Sequence, residues 1–182
     1  MKRTKVWFDT EFTGLHKNTT LISIGLVSEE GHTFYAEFTD YDKKQITPWL
    51  ETNVLFHLRL QHMRGFTHTN ITPLIKREVV GDTATITKEL REWLNQYKQI
   101  EIWSDCLAYD WVLFCQLFGG AMSIPKNIYY IPFDLCTLFL AKGVDPDISR
   151  KEFAGKNLTL HNALDDALLQ KACTEKLLKG AD

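Results

Sequence analysis

Near its N-terminus the chain reads Val6-Trp7-Phe8-Asp9-Thr10-Glu11-Phe12-Thr13-Gly14-Leu15. The apolar and aromatic residues at the start of this stretch predict a buried β-strand, which ends in the carboxylates Asp9 and Glu11. Side chains two residues apart on a strand share a face, so the two carboxylates should stand side by side. At roughly 4 Å and an effective dielectric of about 20, two like charges repel by about 4 kcal/mol, and a bound divalent cation reverses that sign. A metal site and a solvated strand end are both compatible with this pair alone.

The composition indicates a globular protein without membrane segments. Of its 182 residues, 45% are hydrophobic and 24% are charged. A chain of this length buries roughly 70% of its unfolded surface, and we expect one domain that covers residues 1–182. The N-terminus lacks the apolar segment of a signal peptide, and no apolar run is long enough to span a membrane. We therefore expect a cytoplasmic protein.

The charge balance bears on the kind of partner. A formal net charge of −2 argues against a protein that coats long nucleic acids, because such binding depends on many cationic side chains that release counterions. An enzyme that binds one end of a nucleic-acid strand through metal ions remains compatible with this charge. The acids of such a site would themselves lower the net charge.

Hydrophobic patterning divides the chain into strands and helices. Three β-branched or aromatic runs predict an antiparallel meander, at 5–9, 21–28 and 33–38. Two later strands are predicted at 100–103 and 128–131, and helices at 87–97, 109–118, 133–142 and 162–179. A helix should also begin at Thr47-Pro48, whereas 57–73 shows no regular pattern. This order predicts an α/β fold whose mixed sheet starts antiparallel, continues parallel and is flanked by helices.

Further acids lie at the junctions between predicted elements. Asp105 and Asp110 follow a predicted strand, and Asp165 and Asp166 follow His161 at the head of the last helix. In folds of this kind ligands collect at the carboxyl ends of the strands, which makes these acids candidates for the same site as the first pair. For any one of them, helix capping or compensation of the helix dipole is the alternative.

Three segments, in order, resemble the three motifs of the DEDDh exonucleases: Phe8 to Gly14, Tyr109-Asp110, and His161 to Ala167. The resemblance spans almost the whole chain and implies a ribonuclease H-like fold with 3′-to-5′ exonuclease activity. It implies that four acids bind two divalent cations, namely Asp9, Glu11, Asp110 and Asp166. Oxygen ligands of this kind suit Mg²⁺ or Mn²⁺. His161 is implied as the general base.

A closer resemblance is to the RNase AS group of polyadenylate-trimming exoribonucleases, carried by the sequences at 21–27 and 115–119. It implies an RNA substrate with adenylate-rich 3′ ends and, as in RNase T, a homodimer. The chain departs from the superfamily pattern at one position. The second motif usually carries an Asn upstream of its Asp, where this chain has Asp105.

The two adjacent acids of the third motif require a choice. If 161–166 were all helical, His161 would face Asp165, four residues on, while Asp166 would lie about 140° away around the axis. We place His161 on the loop before the helix, Asn162 at the N-cap and Asp165 near the third helical position, where it has a structural role. Asp166 is then free to face the sheet. This choice rests partly on the resemblance.

Two segments are candidates for contact with the substrate. Phe12, Thr13 and Leu15 follow the first acids, and in similar oligoribonuclease-like enzymes the matching positions touch the terminal nucleotides; packing within a turn is the alternative. The irregular segment 57–68 contains two cations and an aromatic ring: Arg59, Arg64 and Phe66. It could contact a phosphate backbone, or it could be a solvated loop.

The sequence thus predicts a metal-dependent 3′-to-5′ exoribonuclease that acts on single-stranded RNA and releases nucleoside 5′-monophosphates. A DNA-trimming or proofreading 3′-to-5′ exonuclease uses the same chemistry and is one alternative. A catalytically silent nucleic-acid-binding module is an alternative of another class. The intact set of four acids and one histidine argues against the silent module, because binding alone needs neither a clustered anionic site nor a general base.

Overall fold

The computed structural model describes residues 2–60, 67–70 and 74–179. Within these residues seven strands form one mixed sheet: β1 (Thr4–Phe12), β2 (Leu21–Ser28), β3 (Thr33–Phe38), β4 (Thr67–Asn70), β5 (Lys76–Gly81), β6 (Ile100–Ser104) and β7 (Phe133–Asp134). The α-helices described are α1 (Pro48–Asn53), α2 (Thr83–Leu94), α3 (Ala108–Leu117), α4 (Leu135–Ala141), α5 (Arg150–Ala154) and α6 (Ala163–Lys179). The strand order across the sheet is β4-β5-β3-β2-β1-β6-β7.

The strand directions confirm the predicted mixed sheet. Strands β1, β2 and β3 pair antiparallel, and β6 joins β1 in parallel, with Thr4 opposite Ile100 and Trp7 opposite Trp103. Because β1 and β6 run in the same direction, the end of β1 and the loop that follows β6 lie at the same edge of the sheet. This edge brings the first two acidic motifs together.

Helices cover both faces of the sheet. On one face, α2 and α3 bury Ile86, Leu90 and Phe114 against apolar residues of the central strands. Helix α6 packs on the other face, against β1 and β2. Its first turn lies directly on β2, because a Cβ atom at Gly25 would overlap the backbone of Ala163 and Leu164. Only glycine permits this close approach, which brings the start of α6 to the end of β1.

Several predicted elements differ from the structure in extent or type. The strand predicted at 128–131 is wrong: Ile128 forms a single bridge to Ile100, and the short strand next to β6 is Phe133–Asp134. The helix predicted from 133 begins at Leu135 because the Asp134 side chain caps it by accepting the N–H of Thr137. Strand β5 was not predicted, since its first three residues are charged and it pairs with distant β3.

The middle of the chain is more regular than its pattern indicates. Strand β4 lies in the stretch 57–73, which was predicted to lack regular structure. Helix α2 begins four residues before the predicted start because Asp82 accepts the N–H of Thr85 as its cap. Helix α5 was not predicted, and Ser149 caps it in the same way. Within the described residues, no helix has the length and apolar character needed to cross a membrane.

Candidate active site

Three acids meet at the end of β1. Each of Asp9, Glu11 and Asp166 offers one carboxylate oxygen, and these three oxygens lie within 4.8 Å of one another. Asp9 and Glu11 project from the same face of β1, as their spacing predicts, and Asp166 comes from the first turn of α6. Among the residues that the structure describes, this is the group of acids placed to hold a metal ion.

Asp110, the fourth predicted ligand, lies beside this group rather than within it. It is buried in the first turn of α3, and its Oδ1 accepts two hydrogen bonds from Thr10, one from the backbone N–H at 2.9 Å and one from the hydroxyl at 2.6 Å. The negative charge of Asp110 nevertheless contributes to the raised pKa of both Asp9 and Glu11. The four predicted ligands therefore share one electrostatic environment.

The electrostatics of the β1 carboxylates favour a bound cation. Burial raises the pKa of Glu11 from its ordinary value of 4.5 to about 8, and repulsion from Asp166 and Asp110 adds to the shift. Burial also raises the pKa of Asp9 well above 3.8, and neighbouring acids raise it further: Asp110, Asp166, Glu11 and Asp105. Burial and mutual repulsion make it unfavourable to ionise these groups together, whereas a divalent ion would stabilise their ionised forms.

The other two acids are shifted in the same direction. Burial raises the pKa of Asp166 to about 7, partly offset by a hydrogen bond from the backbone of His161. Burial raises the pKa of Asp110 to about 6, and the two bonds from Thr10 oppose that rise. All four predicted ligands thus titrate above the ordinary range of an aspartate or glutamate, a pattern typical of functional sites.

A buried glutamine contacts one of the three clustered acids. Gln170 is 2% exposed, and its Nε2 donates to Asp9 Oδ1 at 3.0 Å. It lies one helical turn after Asp166, so both side chains project from the same face of α6. Gln170 was not predicted from the sequence, and its spacing of four residues from Asp166 is the one signal that could have identified it.

His161 lies on the loop before α6, as predicted. Its backbone is left-handed, with φ of +59°, which costs a residue other than glycine about 1–2 kcal/mol. Burial lowers the pKa of the imidazole, and the nearby His57 lowers it further. A lowered pKa favours the neutral imidazole, which is the form that can accept a proton.

The other residues of the third motif also lie where the sequence places them. Asn162 Oδ1 accepts the N–H of Asp165 at 3.3 Å, the bond expected of a residue that caps α6. Asp165 does not belong to the three-acid group. Its carboxylate instead accepts the N–H of Thr159 and pairs with Arg59. Of the other candidates in that irregular segment, Arg64 and Phe66 lie outside the described residues.

A cavity of about 460 Å³ opens onto the acids. His161 and the three clustered acids line it, together with the residues predicted to contact the substrate: Phe12, Thr13 and Leu15. Leu15 is 76% exposed, and the ring of Phe12 stacks on Tyr109 with centroids 5.7 Å apart. The hydroxyl of Thr13 is held inside the turn, where it contacts Gln45 Oε1 and accepts the N–H of Thr20.

Trp49 is a cavity residue that the sequence analysis did not identify. It lies in the first turn of α1, is 54% exposed, and directs its ring edge-on to His161 with centroids 5.1 Å apart. Its position just after Thr47-Pro48 predicted a helix start but gave no sign of a functional role. An exposed indole beside an acidic site provides an apolar platform of the size of a nucleobase.

Comparison with known proteins defines the class. Residues 4–178 match the family model described as the 3′-5′ exoribonuclease Rv2179c-like domain. The protein is therefore a 3′-to-5′ exonuclease, and this chain belongs to the Rv2179c-like 3′-5′ exoribonuclease family. Membership of this family confirms the predicted 3′-to-5′ exonuclease activity and favours RNA over DNA as the substrate.

Two curated relatives come from Mycobacterium tuberculosis. They are the 3′-5′ exoribonuclease Rv2179c of strain ATCC 25618 / H37Rv and the 3′-5′ exoribonuclease MT2234.1 of strain CDC 1551 / Oshkosh. Each is 29% identical to this chain over 141 residues, which are 76% of this chain and 76% of the relative. The similarity therefore covers most of both proteins.

Among solved structures, the fold is similar to that of Escherichia coli exonuclease I. The zinc-bound complex of that enzyme with single-stranded DNA matches 99% of this chain with a TM-score of 0.59 at 14% identity, and the apo form matches with a TM-score of 0.55. This chain spans only 41% of the exonuclease I chain in the DNA complex. At this identity the likeness concerns the fold alone, and it confirms the predicted ribonuclease H-like α/β architecture.

Proposed function

We propose that the protein hydrolyses single-stranded RNA from its 3′ end to nucleoside 5′-monophosphates, as a DEDDh-type enzyme that uses two Mg²⁺ or Mn²⁺ ions. The observation that carries the proposal is the group Asp9, Glu11 and Asp166, whose oxygens lie within 4.8 Å of one another in a cavity that also contains His161. The family to which the chain belongs supports the direction of hydrolysis and the RNA substrate.

The residues present fit divalent metal ions. The donors are all carboxylate oxygens, which suit the hard cations Mg²⁺ and Mn²⁺. Asp9, Glu11 and Asp166 would hold one ion, and Asp110 would contribute to a second. When bound, two such ions neutralise charge on the attacking and leaving oxygens of an in-line displacement. The raised pKa values of the four acids support this assignment, because ionising all of them together is unfavourable without a cation.

His161 is placed to act as the general base. It lines the same cavity as the clustered acids, and its lowered pKa keeps a ring nitrogen available to accept the proton of the attacking water. A positioned base of this kind contributes about 10²- to 10⁴-fold to the rate. His161→Ala should therefore lose turnover while it retains metal binding.

The cavity walls suggest how the terminal nucleotide is held. Trp49, Leu15 and Phe12 present apolar surface in the cavity that the acids line, and an aromatic platform contributes roughly 1–3 kcal/mol per stacked base without reading its identity. Because purines offer more surface for stacking than pyrimidines, this arrangement is compatible with the adenylate-rich 3′ ends that the RNase AS resemblance implies. Thr13 would contribute through the shape of the turn rather than through its hydroxyl.

DNA hydrolysis is the second candidate function. Exonuclease I, which shares the fold, has been solved in complex with single-stranded DNA, including a dT13 oligonucleotide. This supports a single-stranded substrate for the present cavity and keeps DNA as an alternative to RNA. A single exonuclease domain over 1–182, a homodimer and a cytoplasmic location stay predictions from the sequence, and sedimentation analysis of the purified protein would test the homodimer.

The direct test is hydrolysis of 5′-labelled single-stranded RNA and DNA of the same length in Mg²⁺, Mn²⁺ or EDTA. We expect a ladder that shortens by single nucleotides on RNA with either metal and no ladder in EDTA. Parallel reactions with poly(A), poly(U) and single-stranded DNA at equal salt measure the preference. Faster hydrolysis of DNA would favour the alternative, and no metal-dependent ladder on either polymer would overturn the proposal.

A further inference from the structure

A partly buried ion pair joins the loop of His161 to a distant part of the chain. The guanidinium Nη2 of Arg59 lies 2.7 Å from Asp165 Oδ1, and the other oxygen of Asp165 accepts the N–H of Thr159 at 3.1 Å. The Asp165 carboxylate therefore has a partner on each oxygen, and one of these partners belongs to the loop that leads into His161. Along the chain, Thr159 lies two residues before His161 and Asp165 lies four residues after it.

Arg59 is itself fixed to the sheet. Glu37, on β3, is 2% exposed, and its Oε1 accepts the backbone N–H groups of Arg59 at 2.6 Å and Leu60 at 2.8 Å. The hydroxyl of Tyr35 donates to the same oxygen at 2.9 Å. The backbone of Arg59 therefore rests on a rigid central element, and its guanidinium reaches from there to Asp165.

A second connection runs parallel to the first. Asn162 is buried, and its Nδ2 donates to the hydroxyl of Tyr35 at 3.2 Å and to the carbonyl oxygen of His57 at 3.0 Å. The 57–60 segment and the 159–165 segment are thus joined through both Asn162 and Asp165. His161 lies between the joined positions, and its left-handed backbone is one that persists only where the surroundings fix it.

We propose that Arg59 and Asp165 form a positioning pair that holds the 159–162 loop so that the His161 imidazole faces the clustered acids. Neither residue is a metal ligand in this account, because Asp165 uses both oxygens in protein contacts and lies outside the three-acid group. The inference rests on the proposed role of His161 as general base. On this proposal Asp165 supports turnover without binding a metal ion.

A competing role for Arg59 is contact with a phosphate of the RNA. Its side chain is 40% exposed, so a cation there could face both Asp165 and the substrate. The two roles predict different kinetics. Loss of a positioning residue lowers kcat and leaves KM unchanged, whereas loss of a phosphate contact raises KM and weakens its dependence on salt.

The test compares Arg59→Met, Arg59→Lys and Asp165→Asn with the wild type on 5′-labelled RNA, well below the lowest melting temperature of the set. We expect Arg59→Met and Asp165→Asn to lower kcat by roughly 10- to 100-fold, the loss that follows from a small misplacement of a reacting group. KM and the Mg²⁺ concentration for half-maximal rate should stay unchanged, and Arg59→Lys should restore most of the rate. The double variant Arg59→Met/Asp165→Asn should be no slower than the slower single variant, because both remove one interaction.

A matched control removes an arginine ion pair elsewhere. Arg77 on β5 lies 3.3 Å from carboxylates of both Glu89 and Glu92 on α2. Arg77→Met should lower the melting temperature without changing kcat. If Arg59→Met behaves in the same way, or raises KM at constant kcat, the positioning role is wrong. A wild type without activity, or a fully active His161→Ala variant, would instead contradict the proposed function on which the inference rests.

Discussion

Arg150 holds Asp105 with two nitrogens: its Nε lies 2.6 Å from Asp105 Oδ2 and its Nη2 lies 2.9 Å from Oδ1. In the resemblance to the DEDDh exonucleases, Asp105 takes the position where the second motif usually has Asn. Its charge contributes to the raised pKa of three predicted metal ligands, Asp9, Asp110 and Asp166. The bidentate partner therefore neutralises a fifth carboxylate beside a site that already contains four.

We predict that Arg150→Met destabilises the protein by about 1–3 kcal/mol, because it leaves the partly buried Asp105 without its charged partner. For a chain of this length that corresponds to a fall in melting temperature of roughly 2–12 °C. Adding Asp105→Asn to this variant removes the unpaired charge and should recover part of the loss. Thermal unfolding in Mg²⁺ measures the loss in Arg150→Met and its recovery in the double variant. An unchanged melting temperature in Arg150→Met would show that the ion pair with Asp105 does not stabilise the protein.

The pKa values of the acids predict how metal and pH together set stability. Glu11 titrates at about 8 and Asp166 at about 7 in the folded protein, against ordinary values of 4.5 and 3.8. Between about pH 4 and pH 8 the folded state binds more protons than the unfolded state, so the stability of the metal-free protein falls as the pH rises through this range. Mg²⁺ is expected to bind the ionised acids, so the rise in melting temperature that it causes should grow from pH 5 to pH 8.

Glu11→Gln is the control for this pH dependence. The neutral amide removes the carboxyl whose pKa burial raises to about 8, so both the pH slope of the metal-free protein and the effect of Mg²⁺ should shrink. Melting curves in EDTA and in Mg²⁺ across the pH range provide the measurement. A Mg²⁺ effect of the same size at pH 5 and pH 8 in the wild type would argue against a cation held by these acids.

Gln170 should tune the metal site through Asp9. Replacing Gln170 by the apolar residue leucine removes the donor to Asp9 Oδ1. The Mg²⁺ concentration for half-maximal rate should then rise by about 10- to 100-fold. Gln96→Leu is a suitable comparison. Gln96 lies just beyond the end of α2, donates to the carbonyl oxygen of Trp93 and does not contact the acids. The same Mg²⁺ dependence in Gln170→Leu as in the wild type would remove Gln170 from the metal site.

Trp49 should bind the terminal base. Trp49→Ala is expected to raise KM for RNA by roughly 5- to 150-fold with a smaller effect on kcat, which corresponds to the loss of about 1–3 kcal/mol of stacking. Phe56→Ala is the control, because Phe56 is a more exposed aromatic residue that does not line the cavity. Equal effects of the two substitutions on KM would show that the indole has no specific role in binding.

Local periodicity was sufficient to predict the meander, the face that Asp9 and Glu11 share, and the final helix, whereas the placement of its cap at Asn162 rested partly on the family resemblance. Contacts between distant segments were not predictable in this way. Strand β5 begins with charged residues and is defined by its pairing with β3, and β7 is two residues long and ends where Asp134 caps the next helix. A pattern read along the chain does not contain these pairings.

The same division holds for the site. The sequence motifs supplied the acids and His161, but the contacts of Gln170 with Asp9 and of Arg59 with Asp165 join residues more than 100 positions apart. Asp165 was assigned a role at the helix terminus, and the structure instead gives it an ion pair and a loop N–H as partners. The place of Trp49 in the cavity depends on how α1 packs in the fold, which no local sequence pattern shows.

We expect Asp166, and not its neighbour Asp165, to complete the metal-binding group with Asp9 and Glu11. Calorimetric titration of the wild type, Asp166→Asn and Asp165→Asn with Mn²⁺ distinguishes the two acids. Asp165→Asn should bind Mn²⁺ as the wild type does, and Asp166→Asn should lose this binding together with nearly all RNA hydrolysis. Retained Mn²⁺ binding in Asp166→Asn with its loss in Asp165→Asn would show that Asp165 is the metal ligand instead.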